Sequence, residues 1–196
     1  MTTDETMGTR VCALQGAAQI FVKHVIVTLA IALSACSVAT VNNGDSFDVQ
    51  GGKYMTYVDK TITEEGWLQC TAVATPTLNE TDWQGAVILT IKDKEGLFST
   101  QVAYMPNAKQ HNFALNTIEK DEYTYSNNFL SLKNRDNAVS FAISWQDNGS
   151  IGYFASDELG QQSSGYLDNP NQFHDTIVVT VSGLRGQLSC KGIGFQ

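Results

Sequence analysis

Val139, Phe141, Ile143 and Trp145 alternate with Ser140, Ala142 and Ser144. Successive side chains of a strand point to opposite faces, so only a strand gathers this spacing into one apolar face. Asp147-Asn148-Gly149 follows, supplying residues that tolerate positive φ, and Ile151 to Ala155 returns as the second arm of a hairpin. Gly85 to Lys92 and Leu97 to Tyr104 read the same way around Asp93-Lys94-Glu95-Gly96. So do Thr176 to Val181 and Gln187 to Lys191 around Gly183-Leu184-Arg185-Gly186. Tyr54 to Val58, Trp67 to Ala74 and Tyr123 to Leu132 bring the expectation to about nine strands. No convincing amphipathic helix exceeds two turns. Frequent strands joined by short turns pair antiparallel, and the expected fold is all-β: a sandwich or a small barrel.

At 196 residues the chain has the length of one domain, or of one domain with a processed tail. Its 42% hydrophobic content is enough to bury a core and offset chain entropy, which argues against disorder. Twelve Lys and Arg against 20 Asp and Glu leave a net charge of −8. Nucleic-acid binders draw affinity from clustered basic residues, so that partner class is not expected.

Residues 20–36 have a different character. Lys23 and His24 form a basic flank, Val25 to Leu33 an apolar run, and Ser34 and Ala35 a small-residue step before Cys36. That order is the order of a secretory signal. The run from Val25 through Ala35 would span ~16 Å as a helix, about half of a ~30 Å hydrocarbon core. Extending it upstream would place Lys23 in the membrane at a cost of ~2.5–3.5 kcal/mol near the centre. A retained transmembrane span is the weaker reading.

Leu33-Ser34-Ala35-Cys36 closely resembles the lipobox of bacterial lipoprotein precursors. The resemblance implies that the Cys36 thiol carries diacylglycerol, that cleavage occurs just before it, and that the new N-terminus is acylated too. Residues 1–35 would then be a signal segment with a signal helix, leaving a mature chain of 196 − 35 = 161 residues. Each buried methylene contributes ~0.8 kcal/mol, so several acyl chains hold far more firmly than one. Ser37, where an Asp would retain an enterobacterial lipoprotein in the inner membrane, implies the outer membrane of a bacterial envelope, facing periplasm or surface. Twenty-two residues precede Lys23, including Asp4, Glu5 and Cys12, which suit neither signal nor core; synthesis is expected to begin near Val22. Residues 36–52, ending in Gly51-Gly52, lack apolar periodicity and read as the lipidated cysteine and a flexible tether, with the β domain over 53–196.

Removing Cys12 with the leader and giving Cys36 to lipid leaves Cys70 and Cys190, an even pair in an oxidising compartment. A bridge between them would close ~120 residues and contribute ~4–5 kcal/mol. Two buried free thiols are the alternative.

Catalytic motifs are sparse. There is no G-x-S-x-G elbow, H-E-x-x-H pair, phosphate loop or C-x-x-C. His174-Asp175 has the residue types of a base and its orienting carboxylate, yet neighbours on a strand point apart. His111 and His174 with unplaced carboxylates fall short of a zinc ligand set, and surface or packing roles suit both better. Glu119, Asp121, Glu122, Asp157 and Glu158 offer oxygen ligands of the kind calcium takes, but a solvated acidic surface accounts for them, and no cofactor or metal is expected.

Ser156 to Asp175 carries no strand pattern, and structureless connections of this length are usually functional or mobile. Tyr166, Asp168, Asn171, Phe173 and His174 within it are the candidate binding residues, because Tyr and Asn suit adaptable recognition loops. Tyr123, Tyr125 and Phe129, beside Asn127 and Asn128, fit either sugar binding or ordinary sheet packing, and packing is favoured. The expected role is non-catalytic binding or envelope assembly by a membrane-anchored domain with a protein or glycan partner. An inhibitor or adhesin contacting an outside protein or glycan is one alternative. A metal-assisted hydrolase using His111, His174 and loop carboxylates is the other.

Overall fold

A computed structural model describes residues 39–77, 84–133, 137–168 and 174–196. They form eleven strands: β1 Ala39–Asp48, β2 Tyr54–Pro76, β3 Ala86–Lys92, β4 Phe98–Pro106, β5 Gln110–Glu119, β6 Glu122–Lys133, β7 Val139–Trp145, β8 Ile151–Asp157, β9 Gln162–Leu167, β10 Thr176–Ser182 and β11 Leu184–Phe195. All pairings are antiparallel.

The order β6-β5-β4-β3-β10-β2 makes one sheet (sheet I), and β1-β11-β2-β7-β8-β9 makes the other (sheet II). Strand β2 serves both. Its first half pairs with β10, and its second half lies between β11 and β7. Where it changes sheets, Trp145 Nε1 donates to Thr63 O (3.0 Å), and Ile62 N donates to Asp175 O (2.9 Å). Glycine is required at position 66, because a Cβ there would lie 2.4 Å from Ile193 O and 2.5 Å from the Trp145 ring.

The core lies between the sheets. Val87, Leu89, Ile91, Ile177, Val179 and Val181 come from sheet I; Leu68, Phe141, Ile143 and Ile151 come from sheet II, and all are fully buried. Two-residue periodicity puts every second side chain inside, and burying each such chain contributes ~1.5–3 kcal/mol. Tyr104 and Phe113 stack at 5.2 Å between ring centres, and Phe141 approaches both, at 5.4 and 6.1 Å. Cys70 faces Cys190 across the β2–β11 pair, and the two form the disulfide.

The all-β sandwich is as expected, but one pairing and several boundaries differ. Residues 176–181 and 187–191 do not form the expected hairpin, because β10 pairs with β2 and β3 in sheet I while β11 pairs with β1 and β2 in sheet II, and Gly183 links the two sheets. Tyr54–Val58 and Trp67–Ala74 are two stretches of one strand, while β1, β5 and β9 are additional, so nine becomes 9 − 1 + 3 = 11. The tether reading of 36–52 fails over residues 39–48, which pair with β11. Register slips after Thr40 and after Asn42 break the alternation there, while Phe47 and Val49 still reach the core. Strand β5 is additional although Asn112 and Asn116 alternate with Phe113 and Leu115; its middle is buried on both faces. The signal segment, with Cys36, lies outside the described residues.

Candidate functional site

The expected structureless stretch Ser156–Asp175 contains the edge strand β9, so its reading as one long loop is corrected. Gln162-Ser163-Ser164-Gly165 has no β-branched residue, and an edge strand needs little apolar pattern to pair on one side. Asp157 shapes the preceding turn: its Oδ1 accepts from Leu159 N and Gln161 N (3.0 and 2.9 Å). That carboxylate is a turn former.

The structure brings three of the five candidate residues toward the β7–β8 hairpin. Tyr166 pairs with Gly152, and Asp168 lies just past the end of β9. Ser150 Oγ donates to Asp168 Oδ1 (3.4 Å). His174 Nε2 lies 3.3 Å from Gly149 O at the tip of the hairpin. A carbonyl only accepts, so the neutral ring carries its proton on Nε2. Asn171 and Phe173 lie outside the described residues.

Burial lowers the His174 pKa from 6.5, against the opposing pull of the Gly149 carbonyl and the Asp175 and Asp93 carboxylates. The unfolded chain therefore binds this proton more readily than the folded one. Stability from this site is intact above pH 6.5 and falls as pH drops from there through the lower folded value. His174→Gln keeps an N–H for Gly149 and should flatten that part of the acid limb in urea midpoints. Equal slopes in both proteins would remove His174 as its cause.

The residues beside Tyr166 form a continuous surface. Because Leu68 and Cys70, Phe141 and Ile143, and Ile151 and Ala155 point inward, their neighbours Trp67, Gln69, Ala142, Ser144, Gly152 and Phe154 point outward. Register then lines up Tyr166, Gly152, Ser144 and Trp67 across β9, β8, β7 and β2. The next row runs Ser164, Phe154, Ala142, Gln69 and Lys191. At ~4.8 Å per strand, Tyr166 and Trp67 lie about 14 Å apart along the backbone row. Tyr166 is 52% exposed, Trp67 and Phe154 are half-buried, and none of the three belongs to the core. No strand among the described residues lies over this face.

Trp67 and Phe154 were not among the sequence candidates. The signal was there: each is an aromatic residue standing out of phase with the inward residues of its own strand.

His111 and His174, which a metal-assisted hydrolase would use, do not converge. His111 is buried on β5, its Nδ1 2.9 Å from Tyr104 Oη, near the end of sheet I remote from His174. Burial raises the pKa of that tyrosine. Among the described residues no three His, Cys, Asp or Glu side chains gather as a metal site. The favoured packing of the β6 aromatics holds for Phe129, which contacts Tyr153 (4.7 Å) and Phe113 (6.3 Å). Tyr123 and Tyr125 are exposed instead, on an edge strand that overhangs the core.

No known protein family and no curated protein matches the chain. Among solved structures it is similar to scytalido-glutamic peptidase with a peptide based transition state analog, at 9% identity and a TM-score of 0.49, covering 71% of this chain and 66% of that one, just under two thirds. The CBM2 module of Lactobacillus casei BL23 phage J-1 evolved Dit gives 10% and 0.49, covering 80% and 76%. The Lotus tetragonolobus seed lectin gives 7% and 0.47, covering 78% and 79%. At these values the likenesses carry no argument about function.

Proposed function

We propose that this chain is a bacterial envelope lipoprotein whose β-sandwich is a non-catalytic binding domain, anchored through lipid on Cys36 and using the outer face of sheet II as its contact surface. One observation supports the contact surface above all others: Tyr166 is exposed and Trp67 and Phe154 half-buried on the same outer sheet face, and none of the three belongs to the core. Aromatic area left in water is costly unless a partner covers it, and Tyr and Trp combine a large apolar area with a polar tip. The basic flank, apolar run and Leu33-Ser34-Ala35-Cys36 support the anchor.

Cys36→Ser should leave the precursor uncut and abolish metabolic labelling with palmitate; continued labelling would refute the anchor. For the contact surface, a photo-reactive phenylalanine analogue replacing Tyr166 should cross-link an envelope component in intact cells. The same analogue at Tyr123 on sheet I should not. Equal yields at both positions, or no adduct at 166, would count against this face.

A further inference from the structure

We infer that the ligand of this face is an uncharged carbohydrate chain lying across β9, β8, β7 and β2 between Tyr166 and Trp67; the inference rests on the binding reading above. The row has aromatic residues at its ends and small ones in the middle. Gly152 and Ser144 keep the centre low, and a Cβ at 152 would sit 2.4 Å from Ser144 Oγ. Phe154 lies one row away, diagonally beside Tyr166. A sugar ring presents an apolar C–H face and a rim of hydroxyls, and this surface offers both complements: aromatic rings, and the polar groups of Ser144, Gln69 and Asp168.

Charge narrows the ligand class. The row itself, Tyr166, Gly152, Ser144 and Trp67, is uncharged, and charges of both signs stand only at its margins: Asp168 just past the end of β9, Glu65 two residues before Trp67 on β2, and Lys191 opposite Gln69. The chain as a whole carries −8, which disfavours acidic polymers. A basic peptide would find carboxylates only at the margins, Asp168 and Glu65, whereas a polyol finds acceptors and donors along the rows between them. These features together favour a neutral glycan over a peptide.

The test is calorimetry of the full-length protein with cellotetraose, chitotetraose and maltotetraose, with tetralysine as the charged comparison. At least one glycan should give saturable one-site binding that is insensitive to added salt. Tyr166→Ala and Phe154→Ala should each weaken it roughly two- to tenfold. Gly152→Val, whose side chain must push Ser144 Oγ aside and rise into the centre of the row, should abolish it, and Tyr123→Ala on sheet I should leave it unchanged. Unaltered thermal melting shows that each variant has folded. No binding to any of the three glycans, or binding only of tetralysine, overturns the carbohydrate inference. If the face-dependent cross-link at 166 persists in that case, the binding reading stands with another partner class. If Tyr166→Ala and Gly152→Val leave glycan binding intact, the site assignment falls.

Discussion

Replacing both bridging cysteines, Cys70→Ala with Cys190→Ala, should lower unfolding stability by about 4–5 kcal/mol. The bridged residues are 120 apart in sequence, so the link constrains most of the described chain when it unfolds. In the folded state they already face each other on hydrogen-bonded strands β2 and β11, so the bridge adds little order there. Its effect falls mainly on the unfolded ensemble. Two signatures should therefore appear together in urea titrations: a lower midpoint, and a steeper dependence on denaturant as the unlinked chain expands. Reducing the wild-type protein should reproduce both. A midpoint unmoved by reductant and by the double substitution would show that the bridge does not constrain the unfolded chain.

Phe141→Ala should cost about 3–5 kcal/mol, at the upper end for a core aromatic. The ring is fully buried and meets Tyr104 and Phe113 from sheet I. Its register partners are Cys70 on β2 and Ala155 on β8, both small, so the residues directly beside it across the sheet cannot fill the space. The cavity persists, and its lining loses dispersion contacts. Tyr166→Ala, on the outer face of the same sheet, should change stability by no more than about 0.5 kcal/mol. Chemical denaturation of the two variants checks both values. A Phe141→Ala loss as small as that of Tyr166→Ala would mean the two sheets are not packed through this ring.

Local pattern was enough for β7, where inward and outward residues alternate without interruption, and Asp147-Asn148-Gly149 turns the chain into β8, whose Phe154 breaks the alternation. It failed where burial, an edge position or a register slip weakens the pattern. Strand β5 is buried on both sides, β9 is polar along an edge, and β1 slips register twice. In each the backbone pairs because a neighbouring strand is present, and the residues themselves do not announce it. The candidate residues were legible in part. Tyr166, Asp168 and His174 could be named from composition, but their relation to Trp67 and Phe154 could not.

Taken alone, the order of residues determined the all-β class, two of the three expected hairpins (β3–β4 and β7–β8), the acidic balance and the even pair of cysteines. Those properties depend on period, turn chemistry and counting, which are local. Only the tertiary structure decided that β2 serves both sheets and that residues 67, 144, 152 and 166 lie in one row. Alternation says which side of a strand a residue occupies, but register between strands far apart in the chain says which residues it stands beside.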